Sequence, residues 1–453
     1  MTIDLPDYTN DALDGFLALI YALQNNPAEG TGIYKLIQFS HNTAGPSIPI
    51  ALSQYMTTLQ FNLFGDYPSS RDIIPSAIFC AAFAVIGILH TIIFTINTSR
   101  GHYFWMSAIM ILYSIMRVIG WAARIPWSMD VTKIGIGIVH TVFTIVASIV
   151  LISVNLILAQ RLFTWRHPVG GSRDLFWNFM IGAYIVICLL LGLTIVANVW
   201  PYLYFLSQEK YDIWVNVVRA TSILIVLYSV TGIALINLSY FFKPTSKDEN
   251  LHTYQPWWIE SFSPTYFVEP HAARAANATF MKRNHNHRYA IRVIAATHHH
   301  YKMVEGLTNQ RGSLTHNTSL IIIVISSVFI CAGAILRSVV LFQGKQQRYQ
   351  SQICQPVVMY IMWGLLEVII NILFIVGRID LRFYRPDILP QIGRSIITAE
   401  QSHYNSDDEL SEDYGSLPTK SISLRTPNQD SVTAKSIGKI APDDDDDEDE
   451  FRF

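Results

Sequence analysis

Seven long and almost uninterrupted apolar runs dominate the chain, and each is bounded by charged or turn-forming residues. A helix needs about 20 apolar residues to cross the roughly 30 Å of hydrocarbon in a bilayer. The seven runs reach or approach that length: Pro75–Ile96, Tyr103–Trp121, Ile134–Leu158, Phe176–Val199, Val215–Leu238, Leu320–Phe342 and Pro356–Val376. The pattern therefore predicts seven transmembrane helices.

Continuous apolar sequence favours helices over the strands of a membrane barrel, which alternate apolar and polar residues with a period of two. A helix also satisfies its own backbone hydrogen bonds, which lipid cannot do. The core of a soluble protein explains any one run, but not seven runs of this length together. We therefore predict an all-α, polytopic membrane protein with a seven-helix bundle over residues 75–376.

The N-terminal region, residues 1–74, contains one amphipathic stretch, Asp11–Gln24. Five of its apolar side chains share a helical face: Leu13, Phe16, Leu17, Ile20 and Tyr21. The spacing predicts a short helix that either lies on the membrane or caps the bundle, and capping is the simpler interpretation. The first residues lack the basic start of a signal peptide, so we expect the first span to direct insertion.

Composition adds an acidic tail to this picture. Hydrophobic residues make up 51 % of the chain and charged residues 15 %, compared with about 25 % charged in an average soluble protein. Residues 397–453 hold 15 of the 34 acidic residues but only 5 of the 32 basic ones. Their low hydrophobicity predicts disorder. Within the tail, Ser406 fits an acid-directed kinase, and Tyr414 with Leu417 fits the tyrosine motif of trafficking adaptors.

Basic residues near the span ends predict the orientation, because they favour the cytosolic side. With the N-terminus outside, twelve of them lie in the cytosol and six lie outside. We therefore expect an external N-terminus, a basic juxtamembrane segment at 377–396, a cytosolic C-terminus, and the plasma membrane rather than an internal one. Asn277 argues for the opposite orientation, since it begins a glycosylation sequon in a loop that this arrangement makes cytosolic.

That loop, residues 240–318, is long, basic and rich in histidine. Two interpretations of Arg288–Glu305 remain open: a basic amphipathic helix on anionic lipid, or a solvated loop with one helix that continues into the sixth span. Five histidines could hold a divalent metal if two or three converged: His285, His287, His298, His299 and His300. No carboxylate or cysteine has matching spacing, so we expect a basic, pH-sensitive surface and no metal centre.

Several kinds of chemistry find no support in the sequence. The spans contain no lysine for a retinal Schiff base, and their two histidines, His90 and His140, are predicted at different depths, unlike the axial ligands of a haem. Nucleophile, zinc-protease and phosphate-loop motifs are missing as well. We therefore expect a protein without cofactor, enzymatic activity or nucleic-acid partner, whose first partners are membrane lipids.

Ionisable residues inside the spans are the most informative feature, because such groups are unfavourable in lipid and usually face a bundle interior. Counting from the predicted outer ends places four of them about 6–9 Å deep: Arg117, His140, Arg219 and Arg337. Glu367 lies about 16 Å deep, with Asn371 one turn further. The set predicts a basic, outward-opening pocket for an anionic group, with Glu367 at its floor.

Two simpler interpretations stay open beside the pocket. Arginines near a membrane boundary can extend to the lipid headgroups, which accounts well for Arg219. Glu367 is too deep to do so and needs a partner or a proton, and Arg337 on the adjacent span is the partner that we expect. A structural ion pair between these two residues is then the alternative to a ligand site.

Five motifs carry a resemblance to a known family: Gly101-His-Tyr-Phe-Trp105, Met116-Arg-Val-Ile-Gly-Trp121, Ile335-Leu-Arg-Ser-Val339, Met362-Trp-Gly-Leu-Leu-Glu367 and Gly377-Arg-Ile-Asp380. Over roughly residues 73–390 the chain resembles uncharacterised multi-pass membrane proteins of filamentous fungi. That resemblance implies a fungal membrane protein and no particular activity.

A more distant likeness is to the fungal lipid-translocating-exporter family, which also has seven spans. Its late spans carry an arginine, an aromatic residue and a glutamate, followed by another acid. Arg337, Phe342 and Glu367 fit three of these positions, but Gln343-Gly-Lys345 stands where the first glutamate is expected. The likeness implies lipid transport.

Three functions are consistent with these features. The leading one is non-enzymatic binding or translocation of a lipid or amphipathic anion, with Arg337, Arg117 and His140 contacting the anion and Glu367 balancing charge or carrying a proton. The second is a seven-helix sensor that signals through its cytosolic loop and tail. The third is a structural, organising membrane protein without a ligand.

Overall fold

The computed structural model describes residues 11–45, 48–167, 174–242, 254–255, 259, 261–272, 294–295 and 317–384. Three short helices come first: α1 (Asp11–Leu23), α2 (Ile33–Ala44) and α3 (Ile50–Thr58). Six long helices follow: α4 (Ile73–Ser99), α5 (Trp105–Met129), α6 (Ile134–Arg166), α7 (Asp174–Leu203), α8 (Gln208–Phe241) and α9 (Asn317–Gln343). These six are the first six spans.

The seventh span consists of three consecutive segments: α10 (Pro356–Met359), a π-helical turn (Tyr360–Leu365) and α11 (Leu366–Val376). A short helix, α12 (Ile379–Arg382), follows it; one 3₁₀ turn (Ser70–Asp72) precedes the first span and two (Gln347–Tyr349 and Gln352–Cys354) precede the seventh. Seven helices of the described residues are thus long and apolar enough to cross a membrane. The predicted all-α, seven-helix membrane fold is confirmed.

The packing of the spans leaves parts of the first and fourth spans without a protein neighbour among the described residues. The second span packs against the first and third, the third also packs against the fifth and sixth, and the seventh lies between the first and sixth. Large apolar side chains on the first and fourth spans remain exposed: Ile78, Ile88, Phe179 and Leu189. An apolar face without a protein partner is what a helix presents to lipid.

The second span is longer than its apolar run predicts. The run ends at Trp121, whereas α5 continues for eight residues to Met129. Arg124 therefore lies inside a helix and is only 1 % exposed. The helix can continue through this charge because Arg124 finds partners within the protein, as described below.

The three N-terminal helices pack against the end of the bundle at which the first span begins, here called the Asp72 end. Ile20 of α1, Ile33 of α2 and Met56 of α3 form a buried cluster with Trp127 and Ile134 of the second and third spans. The amphipathic helix predicted over Asp11–Gln24 is present as α1. Burial of Ile20 in this cluster favours the capping interpretation.

The opposite end, here called the Arg378 end, is covered by part of the long loop. We call residues 261–272 the docked segment. Its Phe262 and Val268 are buried with Phe104 and Leu381, which belong to the start of the second span and to α12. The loop is therefore attached to the bundle and contributes to its core at this end.

Two short strands join distant parts of the loop: β1 (Tyr254–Gln255) pairs antiparallel with β2 (Ile294–Ala295). The helical interpretation of Arg288–Glu305 is therefore wrong at Ile294, where the backbone bonds to another strand. The other features predicted in the loop and tail lie outside the described residues: Asn277, His285, His287, His298, His299, His300, Ser406, Tyr414, Leu417 and the acidic segment 397–453.

Candidate functional site

A buried ion pair joins Arg117 of the second span to Glu367 of the seventh. Arg117 is 0 % exposed and Glu367 is 5 % exposed. The Nε atom of Arg117 donates to Oε2 of Glu367 at 2.6 Å, and its Nη2 atom donates to Oε1. Two parallel hydrogen bonds match the planar guanidinium to the carboxylate, an arrangement that offsets part of the cost of burying both groups.

Three neighbours complete the hydrogen bonds of the pair. The Tyr113 hydroxyl donates to Oε2 of Glu367. The Nη1 atom of Arg117 donates to the backbone oxygen of Thr144 at 3.2 Å, and Nη2 donates to Oγ of Ser148 at 2.7 Å. The pair therefore fastens the second, third and seventh spans to one another.

Arg117 lies much deeper than the sequence predicts. It is twelve residues from either end of α5, or about 18 Å along the helix. The predicted depth of about 6–9 Å is wrong because it was counted from Trp121, where the apolar run ends and the helix does not. Arg117 can therefore meet Glu367, which stands eleven residues into the seventh span.

The partner of Glu367 is also different from the predicted one. The expected ion pair with Arg337 does not form, because both oxygens of the carboxylate are already bound by Arg117. This correction changes the role of both arginines. Arg117 forms the ion pair with Glu367, and Arg337 takes no part in it.

A cavity of about 30 Å³ lies beside the ion pair, between the third, fifth, sixth and seventh spans. Its polar lining comes from Ser148, Arg337 and Glu367. Its apolar lining includes Ile149, Ile225, Phe329, Ile330, Met362 and Trp363. A volume of this size holds roughly one or two water molecules.

Arg337 is a buried cation whose charge is not balanced nearby. It is 7 % exposed, and it forms no ion pair or hydrogen bond with any other residue that the structure describes. It lies on α9, six residues before the helix ends at Gln343. A lone charge inside a membrane protein is unfavourable, and Arg337 is such a charge at the wall of this cavity.

The π-helical turn lies directly before Glu367. It carries Met362 and Trp363 to the cavity wall. A π turn holds one residue more than an α-helical turn and occurs mostly as a single turn at functional sites. The extra residue rotates the part of the helix that follows, and so it changes the direction in which Glu367 points. The cavity and the ion pair both depend on this irregularity.

The remaining predicted site residues lie apart from the cavity. His140 is buried, with Nδ1 at 2.8 Å from the Gly120 oxygen and Nε2 at 3.4 Å from Nη1 of Arg124. Arg219 is partly buried and lies over the ring of Phe342 at the Asp72 end. Asn371 is buried and donates to the Glu367 backbone oxygen at 2.7 Å. The six residues predicted to form one pocket therefore do not all lie together.

Sequence reasoning missed a second polar cluster, at the Asp72 end. Arg124 donates to the Gly65 oxygen at 2.6 Å, to Asp72 Oδ1 at 3.2 Å and to the Tyr360 hydroxyl at 3.2 Å. The Tyr360 hydroxyl in turn donates to Asp72 at 2.8 Å. One signal was available: Arg117 and Arg124 are seven residues apart, which places them on one helix face.

No three side chains of His, Cys, Asp or Glu within the described ranges come together in a group that could hold a metal ion. The histidines considered as ligands from sequence lie outside those ranges. The described cavity itself is lined by two charged side chains, a serine hydroxyl and an apolar wall.

Residues 168–384 match the model of a family described as a protein of unknown function, DUF3112. The matched region contains the last four spans, the long loop and α12, with Arg337 and Glu367 in it and Arg117 before it. No curated protein and no solved structure matches the chain. Over the matched region the chain is thus similar to an uncharacterised family, and its seven spans fit a multi-pass membrane protein.

Proposed function

We propose that this membrane protein binds an amphipathic anion, such as an anionic lipid or a long-chain acid, and moves it across the bilayer without enzymatic chemistry. One observation carries the proposal: Arg337 is a buried cation at a cavity, and no other described residue balances its charge. The fungal-exporter likeness of Arg337, Phe342 and Glu367 agrees with a lipid as the cargo.

The charge of the site favours an anion. Arg117 and Glu367 neutralise one another, so Arg337 leaves the cavity with one net positive charge. A guanidinium presents a planar set of donors that fits two oxygens of a carboxylate, sulfonate or phosphate. A ligand with one such group would balance the charge of Arg337. It would also accept hydrogen bonds from the guanidinium, which has no acceptor among the described residues.

The walls of the cavity favour an amphipathic ligand. The volume of about 30 Å³ leaves no room for an acyl chain inside the cavity. Ile225, Phe329 and Ile330 surround Arg337 with apolar surface from the fifth and sixth spans. An acyl chain that runs along these spans into the lipid would keep its apolar contacts while its head reaches Arg337.

The role of each predicted contact changes accordingly. Arg117 and His140 were expected to hold the anion, but Arg117 is bound by Glu367 and His140 by Gly120 and Arg124. Arg337 is the contact that we retain. Glu367 sets the charge balance of the cavity and stands at its edge.

Binding tests this proposal directly. We would reconstitute the full chain into nanodiscs of phosphatidylcholine and titrate it with hexadecylsulfonate, an anion that stays charged at all working pH values. We expect Arg337→Gln to weaken binding by about tenfold or more, since it removes the charge that the ligand balances. Arg219→Gln is the matched control, because it removes a cation that lies apart from the cavity.

Movement of the ligand needs its own measurement. Liposomes that contain the protein should expose a fluorescent anionic lipid to an external quencher faster than protein-free liposomes do, and Arg337→Gln should abolish the difference. Equal rates with and without protein would reject translocation and leave binding alone. Unchanged binding in Arg337→Gln would reject the cavity as the anion site, and no binding by the wild-type protein would favour the organising protein without a ligand.

A sensor is the second candidate, and the seventh span supports it. This span carries Glu367 at the cavity and leads to Arg378, which donates to the backbone oxygens of Pro264 and Tyr266 in the docked segment. A ligand in the cavity would thus act on the helix that holds the loop. Cytosolic signalling or trafficking proteins would be its partners.

Truncation separates the two candidates. Removal of residues 398–453 should leave the movement of a lipid unchanged if the protein is a transporter, since the bundle and the cavity remain. A sensor that signals through its tail should lose its output and retain ligand binding.

A further inference from the structure

The Arg337 cavity is bounded by two groups of opposite charge. Arg337 and Glu367 both line it, and its volume is only about 30 Å³. An anion that binds Arg337 must therefore lie beside the carboxylate of Glu367. Two negative charges at contact distance repel each other strongly where water is excluded.

We infer that an anion entering this cavity is accompanied by one proton, which Glu367 takes up. The inference rests on the proposed function and names the coupling at the same site. Protonation removes the negative charge that repels the ligand. It also leaves Arg117, which donates to this carboxylate, without a charged partner.

The two oxygens of Glu367 are not equally occupied. Oε2 accepts hydrogen bonds from Tyr113 and from Nε of Arg117. Oε1 accepts one from Nη2 of Arg117, and its contact with Ser148 is long at 3.5 Å. Ser148 lines the cavity, so Oε1 is on the cavity side. The incoming proton forms its bond with Oε1, and Ser148 Oγ can accept the new hydrogen bond.

Among the charged and titratable groups around the cavity, Glu367 is the one to which we assign the proton. The second span faces it with Tyr113 and Arg117 and the third with Ser148, while the sixth places Arg337 across the cavity. On the first span, His90 interacts electrostatically with Asp380, beyond the end of the seventh span. Glu367 is thus the only carboxylate among the described residues that line this cavity.

Thermodynamic linkage makes the coupling measurable. If a proton raises the affinity for the anion, the anion raises the affinity for the proton by the same factor. Affinity for a permanently charged anion should therefore fall as the pH rises, by up to about tenfold per pH unit for one proton. A site that does not take up a proton would show the same affinity throughout.

The experiment uses the full chain in phosphatidylcholine nanodiscs, with hexadecylsulfonate as the probe. Calorimetric titration in two buffers of different ionisation enthalpy counts the protons taken up by the wild-type protein. We expect about one proton per bound sulfonate. The same titrations from pH 5 to 8 should show weaker binding at high pH.

Two variants assign the proton to Glu367. Glu367→Gln should bind the sulfonate without a pH dependence, and without proton uptake. The single change leaves Arg117 unpaired, and the variant can therefore fail to fold. In that case the double variant Arg117→Gln with Glu367→Gln replaces it, and we expect the same result. Proton uptake that persists in either variant overturns the inference.

The wild-type titrations separate this inference from the proposed function. Binding of the sulfonate without proton uptake overturns the coupling and leaves the anion site standing. A wild-type protein that binds no sulfonate at pH 5, where the coupling favours binding most, overturns both.

Discussion

At the residue scale, the polar interior depends on two arginines that face one way on the second span. Arg117 holds Glu367, and Arg124 holds Asp72 and Tyr360. Each guanidinium is satisfied by partners from other spans, which lets a helix with two charges lie inside an apolar bundle. Arg337 has no such partner among the described residues, and the proposed role of this arginine as the ligand contact rests on that contrast.

The Arg117–Glu367 pair yields a stability prediction. Arg117→Gln and Glu367→Gln should each lower the free energy of unfolding by about 3–5 kcal/mol, because each leaves one buried charge alone. The double variant should lose less than the sum of the two, by about 0.5–3 kcal/mol. Unfolding in mixed micelles measures all three, with Arg219→Gln as the control. Fully additive effects would contradict the pairing.

A second residue-scale prediction concerns Asp66, in the loop before the first span. Burial raises the pKa of Asp66 above its ordinary value, although hydrogen bonds from the Tyr67 amide and the Gln347 side chain oppose the shift. The folded protein therefore holds this proton more tightly than the unfolded chain does. The contribution of Asp66 to stability is greatest at low pH and is lost as the pH rises through the raised pKa.

Asp66→Asn imitates the protonated side chain, and asparagine tolerates the positive φ of 53° at this position. The stability advantage of the variant over the wild type should therefore be smallest near pH 4 and should grow towards pH 7. Thermal unfolding midpoints across that range measure the difference. A difference that stays constant with pH would show that Asp66 titrates alike in both states.

At the scale of elements, the seventh span decides the geometry of the site. Its π-helical turn brings Gly364 so close to the first span that a Cβ atom there would lie 2.6 Å from the ring of Phe79. Glycine permits the approach because it has no side chain. The cavity wall formed by Met362 and Trp363 depends on this contact, since both residues belong to the same turn.

Gly364→Val should therefore push Phe79 away and lower the free energy of unfolding by about 1–3 kcal/mol, the usual effect of overpacking. It should also weaken sulfonate binding. Gly192→Val is the matched control, because a Cβ atom at Gly192 meets nothing within 4 Å. Equal stability of the two variants would mean that the turn adjusts at no cost.

The docked segment is the other element that tertiary contacts define. Arg378 donates two hydrogen bonds to Asp380, at 3.0 and 2.8 Å, and others to backbone oxygens of the segment. Arg378→Gln should therefore speed hydrogen–deuterium exchange in residues 261–272 and leave exchange in the spans unchanged. Lys133→Gln controls for loss of a surface charge, since its contact with Asp130 is exposed. Unaltered exchange in the segment would mean that the apolar contacts of Phe262 and Val268 hold it alone.

At the scale of the whole molecule, the spans place the N-terminal helices and the docked segment at opposite ends. We propose that the Asp72 end is outside and the Arg378 end is cytosolic, on the excess of basic residues at the latter. The Arg337 cavity would then serve a ligand of the plasma membrane. The opposite orientation would offer the same cavity to ligands from the cytosolic side.

Glycosylation measures the orientation. In a yeast host, Asn277 should carry no glycan, because the long loop that contains it is expected to be cytosolic. An endoglycosidase shift in the full chain that disappears in Asn277→Gln would invert the bundle. Protection of the C-terminal tail from protease in sealed cells would agree with the proposed orientation.

Much of the architecture follows from local sequence. Apolar length alone located the seven spans, since any helix that crosses lipid must be long, apolar and internally hydrogen-bonded. The apolar periodicity of Asp11–Gln24 located α1 for a similar reason. Buried charges such as Arg117 and Glu367 could also be recognised as exceptional, because charge inside an apolar run is unfavourable whatever surrounds it.

Only the tertiary structure decided which of these charges meet. The sequence by itself placed the second span's end at Trp121, and it indicated Arg337, on the span adjacent to the seventh, as the partner of Glu367. Helix length, the π turn and the packing of the second against the seventh span depend on contacts between distant parts of the chain, which no local pattern contains. Those contacts pair Glu367 with Arg117, and Arg337 lines a cavity instead.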